Sequence, residues 1–404
     1  MTKHQIIIVG GGAAGIATAS SLLSRDASLD IAIIEPSDQH FYQPGWTMVG
    51  AGIFTKGQTV RSTDSAWPSG IKRIKGAVAT FSPDKNNIIL EDGSEVLYEY
   101  LVVAAGLKLD WGAIEGLENT LGKNGVTSNY RFDLAPYTWE LVQKMQGKTA
   151  IFTQPPMPIK CAGAPQKAMY LSCDAWLKAG KLSGIEVSFC NAGPVLFGCA
   201  PYVPPLMEYV KKYDISLDFG HNLVKIDGPN RKAWFKVTKD GEDSQTVERK
   251  FDMIHVCPPQ CAPDFIKDSS LSGAGGWVDV DQATLQHTAY ENVFGLGDVT
   301  STPNAKTVAA ARKQAPIVAQ NLIAKIRGQS LAPLYDGYGS CPLTVEKGKI
   351  ILAEFGYGGK VMPTFPWDST KPRRAAWFLK KSILPWVYWN VMLKGREWLT
   401  KTTA

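Results

Sequence analysis

The chain has 404 residues, 45% of them hydrophobic and 20% charged, with a formal net charge of +6. Its length exceeds what one core usually fills, so two or three domains are expected, and it contains no run of 18 uninterrupted apolar residues that would span a bilayer. The charge is concentrated: from Ser369 to Ala404 eight Lys and Arg stand against Glu397 alone, which leaves the rest of the chain near neutrality and gives no footprint for nucleic acid.

In chain order, QIIIVG reads as a buried strand, GGGAAGIATASSLLSR turns into an apolar-periodic helix, and DIAIIEP is a second strand ending at Glu35. This is a βαβ unit. The first strand starts at about Gln5, which leaves no room ahead of it for a secretory signal or an Arg-rich transit peptide. Further strands at NNIILEDG and YLVVAAG close a first unit near Asp110. GKTAIFTQ, GIEVSFCNAG and FDMIHVCPP read as strands of a second α/β unit, and NVFGLGDVTS followed by the Ala-rich AKTVAAARKQAPIVAQNLIAKI reads as a strand, a turn and a helix that return to the first. The expected fold class is α/β, with two Rossmann-like dinucleotide-binding domains and a C-terminal region of amphipathic membrane-surface helices. The expected boundaries are 1–110 with 277–330 for the first domain, 111–276 for the second, and 331–404 for the last region.

Gly10, Gly12 and Gly15 form G-x-G-x-x-G directly after a strand and at the opening of a helix, with Glu35 at the end of the next strand. Such glycines allow a tight turn and close approach of a pyrophosphate to the helix N-terminus, while the carboxylate accepts from ribose hydroxyls. The late pair Gly297-Asp298 is placed to meet a ribityl chain, which favours FAD over NAD. A second glycine fingerprint would be needed after GKTAIFT to bind a nicotinamide cofactor, but the chain continues Gln154, Pro155, Pro156, Met157, Pro158. Prolines offer no N–H to phosphate, and their fixed φ prevents the tight approach. In that place stands Cys161, beside Lys160 and at the start of the expected helix GAPQKAMYLSCDAW. Both the lysine and the helix N-terminus favour a thiolate there. A partner candidate is Cys341, in a Cys-Pro turn before an apolar strand; spacing alone does not pair the two.

The segments PIKCAGAPQK, SCPLTVEKGKIILAEF, HFYQPGWTMVGAG and GWVDVDQATLQHTAYENVFGLGDVTSTPNAKTVAAA together resemble the sulfide:quinone oxidoreductases, specifically the branch related to the mitochondrial enzyme. The resemblance spans nearly the whole chain. It implies oxidation of sulfide through a redox disulfide between Cys161 and Cys341, with Cys161 on the flavin side, and electron transfer through FAD to quinone. It also implies FAD contacts at Ala14, Gly15, Glu35, Gln43, Val78 and Asp298, and along the run Lys306, Thr307, Val308, Ala309. Other branches of the family use a third cysteine upstream of the Cys161 position; none exists here, so the FAD is expected to be non-covalent. The implied partners are sulfide, quinone and a small sulfur acceptor such as sulfite, glutathione, coenzyme A or sulfide itself. A homo-oligomer is compatible with the sequence.

The five other cysteines, Cys173, Cys190, Cys199, Cys257 and Cys261, read as small core residues. The seven follow neither zinc-ligand nor disulfide-framework spacing. His40 is expected to shape the HFYQP loop near the flavin. In the tail, Trp377, Trp386, Trp389 and Trp398 alternate with basic residues, and Pro385 is expected to start a second short helix. This pattern suits a monotopic anchor on a lipid surface, on the cytoplasmic side of a bacterial membrane, or at the mitochondrial inner membrane if a presequence was removed. Phe355, Tyr357, Trp377 and Phe378 are candidates for a quinone pocket. Two alternative readings share some of these features. A single-subunit NADH:quinone oxidoreductase would have the same FAD and tail, and an FAD-containing membrane adaptor without turnover would need neither cysteine.

Overall fold

The computed structural model describes residues 2–146, 148–238, 243–332 and 334–400, so Lys401 of the basic tail lies outside the described residues. Strand β1 (Thr2–Val9), helix α1 (Ala13–Arg25) and strand β2 (Ile31–Ile34) form the first crossover, with Ile6 opposite Ile31 and Val9 opposite Ile34. Ile6, Ile7 and Ile8 are all fully buried, because helices and loops cover both faces of a parallel sheet. β3 (Lys72–Ile74) extends the sheet beyond β2. β4 (Val78–Ser82), β5 (Asn87–Leu90) and β6 (Glu95–Val103) follow as an antiparallel meander whose last strand lies parallel to β1.

The second sheet contains β7 (Val126–Thr127) and β8 (Thr149–Gln154), which leads through the proline-rich loop into α2 (Ala164–Lys178). It continues with β9 (Glu186–Asn191) and β10 (Ile215–Phe219). After an antiparallel trio, β11 (His221–Asp227), β12 (Lys232–Val237) and β13 (Gln245–Lys250), the chain re-enters this sheet as β14 (Met253–His255). The order β7-β14-β8-β9-β10 is parallel throughout. The chain then returns to the first sheet: β15 (Val293–Gly295) pairs with β6, Val293 opposite Leu101, and α3 (Val308–Ile326) packs with α1 in one core. Thr307 caps α3 by accepting from the Ala310 N–H.

A hairpin of β16 (Gly339–Glu346) and β17 (Lys349–Phe355) sets Cys341 opposite Ala353. Strand alternation gives it two different faces. Cys341, Leu343, Val345, Ile351 and Ala353 join the core beneath α2, while Ser340, Pro342, Leu352 and Glu354 face a cavity on the other side. The tail then forms α4 (Arg374–Phe378), a π-helical turn over Leu379–Ile383, and α5 (Leu384–Asn390) with Pro385 in its first turn, as expected.

No helix among the described residues is long and apolar enough to cross a membrane. The tail presents Phe378, Trp386, Trp398 and Leu399 outward at 48–60% exposure. The expectation that its tryptophans act as one outward set needs correction, because Trp389 is buried, edge-on to His40 and beneath the Arg61 guanidinium. Trp377 packs beside Ile350 and Leu352. An inward-facing side was not separable in a segment that is apolar and aromatic nearly all round. Beyond α5 the tail is stitched to α1: Ser20 Oγ donates to the Leu393 carbonyl, and Arg25 forms a bidentate pair with Glu397. Gly395 sits at φ 66°, and a Cβ there would fall 2.5 Å from the Ser20 carbonyl oxygen. Gly395→Ala is therefore expected to destabilise the tail's seat by about 2 kcal/mol, read as a lower Tm and faster proteolysis after Val391.

Candidate active site

Two glycines of the dinucleotide cradle are required by close backbone contact, and a third by open space. Gly10 has φ 106°, and a Cβ there would lie 2.5 Å from the Ala104 carbonyl oxygen; a Cβ on Gly15 would fall 1.9 Å from the Gly10 oxygen. Gly12, the residue before α1, borders open space. Glu35 accepts from the N–H groups of Gly11 and Ser37, each at 2.8 Å. The late turn arrives where the sequence placed it: Gly297, at φ 78°, packs against the Ala14 methyl and donates its N–H to Gln314. Val78 is buried in the first core and does not line the cavity.

The cavity lies between the loop at Tyr42–Thr47, the Cys161 loop, the start of α3 and the tail; Gly10, Gly12, Ala14, Gly15, Glu35 and Gly297 stand outside its lining, as Val78 does. Gln43, Asp298, Lys306, Thr307, Val308 and Ala309 all line it, and so does Cys161. Burial raises the Asp298 carboxyl and lowers the Lys306 ammonium to about 8. Lys306 Nζ donates to the carbonyls of Asp298 and Thr300 and sits 4.1 Å over the Trp277 ring. Several buried polar atoms at this cavity have no partner in the chain: Trp46 Nε1, Thr47 Oγ1 and both amide atoms of Asn129. Each would cost about 1–3 kcal/mol if left unpaired. A flat polar group such as the ring system of FAD would satisfy them, with the glycine cradle taking its phosphates.

Cys161 is presented by the loop that replaces a glycine fingerprint. Its φ is 51°, a left-handed conformation that a residue with a Cβ adopts at a cost of about 1–2 kcal/mol. Two backbone bonds hold it there, from its N–H to the Lys306 carbonyl at 2.8 Å and from the Ala164 N–H to its own carbonyl at 2.7 Å. The first of these ties the sulfur loop directly to the segment that leads into α3. Cys341 is fully buried, and its thiol is in hydrogen-bond contact with that of Cys161. The structure therefore brings the two distant cysteines together. Only Cys161 reaches the cavity; Cys341 lies behind it.

The hydrogen bond from Cys341 and the Lys167 ammonium, 3.0 Å from Cys161 Sγ, hold the Cys161 thiol well below its ordinary value against the opposing effect of burial. Cys341 is pushed well above, by that same hydrogen bond and by burial. The sequence places Lys160 and the helix N-terminus at this thiol; in the structure the cation in direct contact is Lys167, while Lys160 acts on the sulfur from a distance. Lys160 Nζ donates to Gln43 Oε1 at 2.7 Å and lies over the Trp46 ring. Lys167 sits one turn into α2, and helical side chains lean toward the N-terminus, which carries its ammonium back over the first turn to the sulfur. That lean was available from the sequence. A second cation, Lys380, was not: it enters from the π-helical turn of the tail, donates to the Pro44 carbonyl, and is lowered to about 7 by burial and by Lys167. At the start of α2 the Gly163 N–H reaches the Cys341 sulfur.

Of the remaining thiols, burial pushes Cys190 and Cys257 up to about 12, and it raises Cys173, Cys199 and Cys261 as well. All are buried except Cys261, which is half-buried on a short strand. The four quinone candidates do not reach the cavity. Phe355 packs edge-on to Phe197, Tyr357 donates to the Gln282 carbonyl, Trp377 belongs to the small core under the tail, and Phe378 faces outward. The apolar wall on the tail side is instead built by Leu352, Phe365, Leu379, Ile383, Leu384 and Val387.

A dithiol set against a dinucleotide cradle is the working arrangement of flavin-dependent disulfide oxidoreductases, and residues 4–143 match the family described as Pyridine nucleotide-disulphide oxidoreductase. Over 402 residues the chain is 44% identical to the mitochondrial sulfide:quinone oxidoreductase of Dictyostelium discoideum, a match that covers 99% of this chain and 88% of that protein. It is 40% identical to the mouse mitochondrial enzyme of the same name, over 97% of this chain and 87% of that one. The chain belongs to the sulfide:quinone oxidoreductase family. Its fold also matches the crystal structure of the sulfide:quinone oxidoreductase from Aquifex aeolicus, with a TM-score of 0.79 and 20% identity over 96% of this chain and 92% of that one.

Replacing Lys167 with Met removes the cation at the sulfur, so the Cys161 pKa should rise and its thiolate fraction at neutral pH should fall. Alkylation of Cys161 by iodoacetamide in the reduced protein at pH 7 is expected to slow about tenfold, measured by mass spectrometry of the labelled peptide.

Proposed function

We propose that this chain is a membrane-associated flavoenzyme that oxidises hydrogen sulfide at the Cys161–Cys341 pair, with quinone as electron acceptor. The observation that carries the reading is the contact of these two sulfurs beside Lys167, at the wall of the cavity that Asp298 and Lys306 share. In the oxidised pair, hydrosulfide attacks Cys341 Sγ; a new S–S bond forms there, the Cys161–Cys341 bond breaks, and Cys161 leaves as a thiolate. Lys167 lowers the barrier by stabilising that leaving thiolate. A nucleophilic acceptor then takes the outer sulfur from Cys341 and leaves a second thiolate behind. Sulfite, a thiol such as glutathione or coenzyme A, and sulfide itself all have the required chemistry. Bound FAD supplies a two-electron relay from the dithiol to quinone, and the disulfide re-forms. The position of Cys161 at the cavity wall, with Cys341 behind it, supports Cys161 as the flavin-side sulfur.

The apolar wall of Leu352, Phe365, Leu379, Ile383, Leu384 and Val387 is the proposed quinone entry. It opens beside the outward-facing Phe378 and Trp386, so that a lipid-borne quinone would enter from the surface on which the tail rests. The side of the membrane is proposed as the cytoplasmic face in a bacterium. We retain the division into a discontinuous FAD-binding unit at 1–110 and 277–330, a second unit at 111–276 and a C-terminal region from 331. The proline loop at residues 155–158, with no G-x-G-x-x-G fingerprint between β8 and α2, supports sulfide rather than NADH as the electron source.

Anaerobic titration of the purified protein with sulfide is expected to bleach the flavin band near stoichiometric addition, and quinone should restore it. NADH should leave it unchanged. Cys161→Ser and Cys341→Ser should each abolish bleaching by sulfide while retaining bound FAD; bleaching by sulfide in either variant would defeat the proposal. Removing the outward aromatics, Phe378→Ser with Trp386→Ser, is expected to cut sedimentation with anionic lipid vesicles at least severalfold.

A further inference from the structure

The glycine turn of the dinucleotide cradle is held on both sides of a single residue. The Gly11 N–H donates to Glu35 Oε2, and the Gly11 carbonyl lies 3.1 Å from Nδ1 of His40. A carbonyl only accepts, so the hydrogen-bond network assigns the ring proton to Nδ1. Nε2 is then bare and accepts from the Tyr388 hydroxyl 2.6 Å away, a shorter contact than the 3.3 Å from that hydroxyl to the Phe41 carbonyl. Burial pulls His40 down to about 4, so the ring stays neutral at physiological pH and this assignment holds. Tyr388 belongs to α5, 348 residues further along the chain. Two hydrogen bonds thus connect the C-terminal tail to the phosphate-facing turn.

Peptide planarity gives this connection a consequence. The Gly11 carbonyl and the Gly12 N–H belong to one trans unit and point in opposite directions. Holding the oxygen on His40 therefore turns the Gly12 N–H to the other side, and Gly12 borders open space in the cradle. Neither glycine has a side chain to resist rotation of that unit, and a flipped unit would aim an oxygen at the phosphate where a donor is needed. Trp389, edge-on to His40 and under Arg61, fixes the imidazole from its other side. The Ser20–Leu393 and Arg25–Glu397 contacts keep the tail against α1.

We propose that His40 and Tyr388 are positioning residues for FAD: they latch the Gly11–Gly12 peptide with its N–H toward the pyrophosphate, so that the seating of the tail sets how tightly the cofactor is held. Tyr388→Phe keeps the ring and removes only the hydroxyl. Deflavinated protein titrated with FAD, followed by quenching of flavin fluorescence, is expected to give a Kd about five- to tenfold higher for Tyr388→Phe than for wild type. The 31P resonances of the bound pyrophosphate should move as well, a change that loosened packing remote from the phosphates would not cause. His40→Asn should weaken FAD to a similar or greater extent. The double variant should be no weaker than His40→Asn alone, because both act through the same carbonyl. An unchanged Kd and unchanged 31P spectrum in Tyr388→Phe, or losses that simply add in the double variant, would overturn the latch. The proposal rests on FAD occupying this cradle; wild-type protein that takes up no FAD would instead overturn that reading, a result distinct from any of the variants' outcomes.

Discussion

A buried ammonium and a buried sulfur that sustain each other's charge are the constraint on which this site depends. Lys167 is only 3% exposed, and burial alone would pull its ammonium down; the Cys161 sulfur raises it again. Without the cation, the Cys341 hydrogen bond would be left to oppose burial at the Cys161 thiol, whereas at Cys257 nearby burial prevails and pushes the thiol up. Each charge favours the other, and losing one partner of such a pair commonly costs several kcal/mol, on the order of 3–5. The start of α2, the strained backbone of Cys161 and the placement of Cys341 under that helix all serve to hold this contact at the edge of the cofactor cavity. Each element comes from a different part of the chain, and none produces the arrangement without the others.

The tail takes part in this arrangement as well as covering it. Its outward side carries the aromatic surface suited to lipid, while its inward side supplies Lys380 to the sulfur pair and Tyr388 to the cradle. The π-helical turn between α4 and α5 widens the spiral where this division occurs, so that Lys380 is buried while its neighbour Lys381 stays exposed. The proposed lipid-facing surface, the proposed cofactor latch and a cation of the sulfur site therefore share one short segment of chain.

Much of this organisation was legible in the sequence because its signals are local. The apolar run at Ile6–Ile8, the spacing of Gly10, Gly12 and Gly15, and the Gly297-Asp298 turn each impose their structure within a few residues. The replacement of a second glycine turn by Pro155–Pro158 was equally local and pointed to Cys161. What the sequence did not supply depends on distance and direction. The activating cation was assigned to adjacent Lys160, although Lys167 is the one that reaches back along the helix. Lys380 carries no local mark, since its neighbours read as a basic, aromatic surface. The quinone candidates were picked by aromatic type, and packing gives Phe355 and Tyr357 other neighbours, while the cavity's apolar wall on the tail side is built by Phe365 and five aliphatic residues. The trio β11–β13 was missed because strands such as QTVERK expose most of their side chains and lack an apolar period.

The hairpin of β16 and β17 carries a further consequence. Its alternation places sulfur on one side and the cofactor chamber on the other, so a slip of one residue in pairing would exchange them: Ser340 would enter the core beneath α2, and Cys341 would swing into the chamber, away from Lys167. The tight connection at Lys347–Gly348 thus acts as a phase-setter for the chemistry. Adding or removing one residue there would shift that phase, whereas a change of two would preserve it.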